Sequence, residues 1–251
     1  MIALITPTGG RPEQIQLCAG FMVRQDYKGE VLWVIIDDGI QKTTDCITND
    51  FREGWKIIKI FPEEKWKPGG NTQARNLLLG IEEVENYEVE LIFIVEDDDY
   101  YSPQYLRKMI EGAGGYDLIG EQNTVYYNPV MRRYRYNRND RHASLFQVAF
   151  RPTVISLFKT VCKVKQRFVD IILFKMASMY MIKLYDSNQH FAIGIKGLGG
   201  RPGIGQGHRL GMRMEADLSM TELKKLIGED YVFYKDMYEP TSIHNRGRKI
   251  R

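Results

Sequence analysis

Cysteine is scarce in this 251-residue chain, and the little there is has no pattern. Cys18, Cys46 and Cys162 are odd in number and far apart, with no CxxC pair. That excludes a disulfide framework and a cysteine-built zinc site, and it favours a reducing compartment. Long apolar runs are missing as well. The best candidate, Ile171 to Leu184, is broken by Lys175 and Lys183 and is shorter than the roughly 20 residues that span a bilayer. The first residues, MIALITP, show no basic n-region and too short an apolar stretch for a signal peptide. Internal repeats and a clear linker are also lacking. The expectation is a soluble, cytoplasmic protein with no membrane partner, and nothing in the sequence sets its oligomeric state.

What is present is ordinary in amount and unusual in distribution. Hydrophobic residues make up 43% of the chain and charged residues 27%, which excludes disorder and leaves ample material for a core. The net charge of +3 hides a division. Residues 1–125 carry 22 acidic and 12 basic side chains, a net of −10, and residues 126–251 carry 10 and 23, a net of +13. Such a split points to a two-part surface with an anionic partner on the second part.

The first half alternates strand and helix patterns. Apolar runs at Ile2–Thr6, Val31–Ile36, Lys56–Phe61 and Leu91–Val95 read as buried strands. Helical spacing covers Glu13–Gln25, Thr72–Glu85 and Pro103–Gly112. This alternation predicts an α/β fold with a mostly parallel sheet flanked by helices. In such sheets ligands bind beyond the carboxyl ends of the strands. The second half reads less regularly. Paired short strands are expected over Tyr116–Arg151, mostly helix over Thr153–Tyr185, a strand over Asn188–Lys196, a glycine-rich loop from Gly197 to His208, and a final helix over Leu218–Tyr234. The whole is expected to form one domain, 1–251, with a half at 1–115 and a less regular half at 116–251.

Polar clusters close the strands of the first half. Glu96-Asp97-Asp98-Asp99 follows a buried run, and four adjacent carboxylates repel one another unless a cation compensates. At a strand end they suit Mg²⁺ or Mn²⁺, held by one or two carboxylates and a substrate's phosphates; a solvated acidic turn is the plainer alternative. Asp37-Asp38-Gly39 ends the earlier strand and suits a ribose hydroxyl or a base N–H, or simply a turn. Thr6-Pro7-Thr8 with Arg11, and Gly69-Gly70-Asn71 with Arg75, mark two strand-to-helix junctions where an arginine can meet a diphosphate.

In order, TPTGGRP, VIIDDG, GGNTQARN and FIVEDDDYYSP resemble the metal-dependent, family 2-like glycosyltransferases of GT-A (Rossmann-like) fold. The resemblance covers about residues 1–110. It implies a UDP-sugar donor and Mn²⁺ or Mg²⁺. Thr6, Pro7, Thr8, Arg11, Asp37, Asp38, Asn71, Arg75 and Asp97 become nucleotide-sugar contacts, and Asp98 and Asp99, with His208 from the later loop, become metal ligands. A later acid serves the family as general base. Here Asp170 is the candidate, although no Glu precedes it, and an acid at a helix start is the competing reading. The resemblance also implies inversion at the anomeric carbon, making residues 1–115 the nucleotide-sugar and metal half and 116–251 the acceptor half.

Residues 126–141, YYNPVMRRYRYNRNDR, hold Arg132, Arg133, Arg135, Arg138 and Arg141 among four tyrosines. Arginine forks suit phosphates and tyrosine stacks on bases, so the segment suits nucleic acid; an arginine-rich hairpin pairing with the acidic half is the alternative. More loosely, the chain resembles bacteriophage glycosyltransferases that modify hydroxymethylated pyrimidines in DNA. That implies a DNA acceptor and a host cytoplasm. Rival readings are a saccharide, lipid-linked or protein acceptor, a non-catalytic nucleic-acid binder on a nucleotide-binding scaffold, and a nucleotidyltransferase.

Overall fold

The computed structural model describes residues 1–48, 50–164, 167–187, 189–200 and 213–237. In chain order the elements are β1 (Ile2–Thr8), α1 (Pro12–Val23), β2 (Val31–Asp37), β3 (Trp55–Ile60), α2 (Gln73–Val84), β4 (Leu91–Ile94), β5 (Tyr100–Tyr101), α3 (Tyr105–Ala113), β6 (Leu118–Glu121), β7 (Asn123–Asn128) and β8 (Arg133–Arg138). There follow β9 (Val148–Phe150), α4 (Ile155–Val164), α5 (Val169–Met176), β10 (Ile182–Tyr185), β11 (Ala192–Ile195), β12 (Glu215–Ala216) and α6 (Thr221–Ile227).

Seven strands form the main sheet in the order β10-β6-β9-β4-β1-β2-β3. All its pairs are parallel except those of β9, which runs antiparallel to β4 and β6. Both faces are buried, which is why β1, β2 and β4 read as unbroken apolar runs. Ile2, Leu4, Trp33, Ile35 and Phe93 pack on one side with α1 and α3. Ala3, Ile5, Val34, Ile36 and Ile94 pack on the other with α2 and α4. Each buried Leu, Ile, Val or Phe among them contributes about 1.5–3 kcal/mol. Gly80 lets α2 lie flat on the sheet: a Cβ there would come within 2.5 Å of Ile5 Cγ2 and 2.8 Å of Ile36 Cδ1.

β1 lies between β2 and β4, where the strand order reverses, so the carboxyl ends of these three strands open one crevice. A second sheet, β12-β8-β7-β11-β5, closes over it. Its β5 directly follows the acidic quartet and pairs with β11, which ties the end of β4 to the second half of the chain.

Two expectations for the second half need correction. The stretch 153–185 ends in a strand, because Ile182–Tyr185 finds an open edge beside β6 and pairs with it in parallel. The final helix is short: α6 stops at Gly228, whose φ is 61°, and the chain continues to Met237 as 3₁₀ turns. Among the described residues no helix is long and apolar enough to cross a membrane.

Candidate active site

Two strand ends of the main sheet, the starts of two helices and the second sheet converge on a cavity of about 320 Å³. Pro7, Thr8 and Arg11 enter from the end of β1, Glu96, Asp97 and Asp98 from the end of β4, and Asn71, Gln73 and Asn76 from the start of α2. Tyr126, Asn137, Ser144 and Lys196 enter from the second sheet and its loops, and Phe168 to Ile171 from the start of α5.

The acid-rich wall carries its own cations. Thr8 Oγ1 donates to Asp97 Oδ2 at 2.6 Å, and Arg11 Nη1 donates to Asp97 Oδ1 at 2.8 Å. The same Arg11 nitrogen lies 3.1 Å from Asp98 Oδ2. Burial opposes the guanidinium charge, but Asp97, Asp98 and Glu96 outweigh it and hold Arg11 firmly protonated. Burial likewise lifts the Asp97 carboxyl, against the pull of Arg11. Glu96 accepts from Gln73 Nε2. Burial raises it, Lys196 pulls it back, Asp98 and Asp170 add repulsion, and it settles at about 7.

Asp170, in the first turn of α5, is a further acid lining the cavity. Burial raises its pKa, and backbone N–H groups and His142 partly offset this. Just before it, Phe168 sits at φ 56°, ψ 50°. That left-handed conformation in a non-glycine residue costs about 1–3 kcal/mol.

Several expected contacts are placed elsewhere. Thr6 is buried and accepts from Trp33 Nε1 at 2.9 Å, so its hydroxyl faces the core and not the cavity. Asp37 is taken up by its own turn, accepting from Gly39 N at 3.1 Å and Thr43 N at 2.7 Å. Asp38 anchors α2, accepting from Thr72 Oγ1, Arg75 Nη2 at 3.0 Å and Asn76 Nδ2 at 2.9 Å. Arg75 also meets Glu64 at 3.2 Å; neither it nor Asp37 or Asp38 lines the cavity, whereas Asn71 does. Asp99, expected as a metal ligand, turns toward β11, where its Oδ1 accepts from Ile195 N at 2.8 Å and Lys196 Nζ at 3.1 Å. A short step along the chain reverses its direction because β5 must pair with β11. His208 lies outside the described residues.

The described residues hold no group of three His, Cys, Asp or Glu side chains shaped around an ion. The donor set does fit the other mode of divalent binding, one or two hard carboxylates completed by diphosphate oxygens, with Asp98 on the cavity wall as the carboxylate.

The arginine segment divides. Arg132 is structural, with Nη1 donating to Leu218 O at 2.6 Å and Nη2 to Lys235 O at 3.2 Å. Arg138 pairs with Asp140 at 3.0 Å. Arg133, Arg135 and Asn137 alternate along β8, with Arg135 opposite Tyr126 across the ladder, so they share the sheet face that lines the cavity. Arg133, Arg135 and Arg141 have no ion-pair partner among the described residues.

Lys196 is a charged cavity residue that sequence reasoning missed. It is buried, lines the cavity, pairs with Asp99, and lies 5.5 Å and 5.6 Å from the ring centroids of Tyr126 and Phe146. Burial works against its ammonium, yet Asp99, Asp98 and Glu96 raise its pKa overall. The available signal was its place at the end of β11, directly before the glycine loop.

No family model matches the sequence, and no curated protein does. Solved structures do match. One is S. aureus TarS, with a TM-score of 0.53 and 14% identity over 77% of this chain and 36% of that one. Another is the 1–349 portion of TarS in complex with UDP, with a TM-score of 0.52 and 14% identity over 77% of this chain and 60% of that one. This chain spans less than two thirds of the length of these neighbours. The sheet order, the flanking helices and the crevice at the strand ends give the present chain the GT-A fold that it shares with these neighbours.

Proposed function

We propose that the chain is a glycosyltransferase that moves a sugar from UDP to a hydroxymethyl group on a pyrimidine of DNA, with inversion at the anomeric carbon. The observation that carries the transferase reading is that Arg11, Asp97, Asp98 and Asp170 line one cavity at the strand ends. A neighbour of the same fold is described in complex with UDP, which supports the nucleotide. The row of Arg133 and Arg135 leading to the cavity supports an acceptor rich in phosphate.

On this reading the donor's diphosphate lies against Arg11, and the sugar points toward Asp170. Asp170 takes the proton of the acceptor hydroxyl as its oxygen bonds to the anomeric carbon and the bond to the UDP oxygen breaks. UDP leaves with the extra negative charge, which Arg11 and Lys196 stabilise. Mn²⁺ or Mg²⁺ held by Asp98 would supply further positive charge against the diphosphate.

The test crosses a panel of UDP-sugars with hydroxymethylated DNA, unmodified DNA and simple saccharides, reading UDP release. Expected is release with one UDP-sugar that depends on hydroxymethylated DNA and on added metal. Asp170→Asn should cut the rate at least about 100-fold while UDP still binds, and Asp98→Ala should weaken metal-dependent UDP binding. Transfer to a saccharide alone would replace the acceptor. Pyrophosphate release from a nucleoside triphosphate, or DNA binding with no reaction, would overturn the transferase reading.

A further inference from the structure

Phe168 breaks three local preferences at once. It holds the N-cap position of α5 with no side-chain hydrogen bond to the helix, where Ser, Thr, Asp or Asn would satisfy a free N–H. It adopts a φ of 56°, which glycine or asparagine accepts far more readily. Its ring is 50% exposed, so burial gives little in return. Conflicts of this kind gather where a side chain is kept for something other than the fold.

Its location says what that is. Phe168 stands on the wall of the same cavity as Asp170, two residues away, with Ile171, itself 42% exposed, one turn along. Arg167 precedes it and is exposed. The cavity of about 320 Å³ has to take the sugar end of the donor as well as the acceptor group. A volume of that order is the scale of a small-molecule site and not of a duplex. An enzyme that works on a base in duplex DNA takes it out of the stack, and apolar side chains serve elsewhere as wedges between base steps.

Resting on the DNA acceptor proposed above, we propose that Phe168, supported by Ile171, is a wedge that fills the place of an extruded pyrimidine while that base enters the cavity toward Asp170. An aromatic ring held in a strained, half-exposed position is preorganised for stacking on the neighbouring bases.

The experiment uses one oligonucleotide with a single 5-hydroxymethylpyrimidine beside 2-aminopurine, tested single-stranded and as a duplex. With the wild-type protein, 2-aminopurine fluorescence should rise on duplex binding. In Phe168→Ala this rise should be lost, and the duplex-to-single-strand ratio of kcat/KM should fall about 10- to 100-fold, the range of one base–aromatic stack. Phe168→Trp should keep the ratio high. Phe168→Gly, which relieves the backbone conformation, should lower the ratio as Ala does while melting no lower than the wild type. A ratio unchanged in Phe168→Ala, with both substrates affected equally or not at all, would overturn the wedge and leave the DNA acceptor standing. Failure of the wild type to modify either strand form would overturn the acceptor reading, and the wedge with it.

Discussion

Glu121 closes β6 in full burial, with Gln147 Nε2 donating to it at 3.0 Å. Burial drives its pKa from an ordinary 4.5 to about 8, with Ser187 and Gln147 opposing the rise and Asp186 reinforcing it. The folded protein therefore holds a proton that the unfolded chain releases between these two values. Stability contributed by this group falls as pH rises through that window and levels off above about 8. Glu121→Gln, which keeps the shape without the charge, should gain on the wild type from about pH 5 to 8.5, by on the order of 2–4 kcal/mol. Thermal unfolding of both proteins across that range is the check. Single residues also show where sequence reading stops. The place of Asp97 and Asp98 on the cavity wall was legible because they follow a buried strand of a parallel sheet, whose carboxyl edge is where the crevice opens. Lys196 was not, since its partner Asp99 stands 97 positions earlier and only the fold brings the two together. Thr6 and Asp37 were misplaced for a related reason: a polar residue at a strand end can turn inward, and Trp33 and Thr43 decide that it does.

At the scale of elements, α2 depends on the missing side chain at Gly80. Alanine favours helix more than glycine does, but its Cβ would press on Ile5 and Ile36 in a sheet face with no slack. Gly80→Ala should therefore destabilise by about 1–3 kcal/mol, seen as a lower midpoint in urea with an unchanged slope. The strands of the first half could be read because burial on both faces removes polar interruptions and the turns between them are glycine- and aspartate-rich. β10 could not, because Ile182–Tyr185 carries no signal that distinguishes it from the helices before it; an unfilled sheet edge beside β6 decides the matter. β5 is two residues long and exists through β11.

At the scale of the molecule, the opposed charges of the two halves take on a geometry. The carboxylates gather at the strand ends of the main sheet, and the second sheet brings Arg133 and Arg135 to the neighbouring face. Binding to DNA should weaken steeply with salt, and removing either arginine should reduce the slope of log K against log[salt] by about 0.9 and weaken binding similarly across sequences. Titrations at several salt concentrations measure this, and a slope untouched by both substitutions would remove these arginines from the acceptor surface. On the proposed placement of the donor, Arg11, bridging Asp97 and Asp98, bears on turnover as well. An incoming diphosphate meets a guanidinium that already has partners, so each grip on the donor replaces one inside the protein. Net affinity is then smaller than a tally of contacts would give. When the spent nucleotide departs, the two carboxylates would reclaim the cation it held, so release of product restores an ion pair of the protein's own.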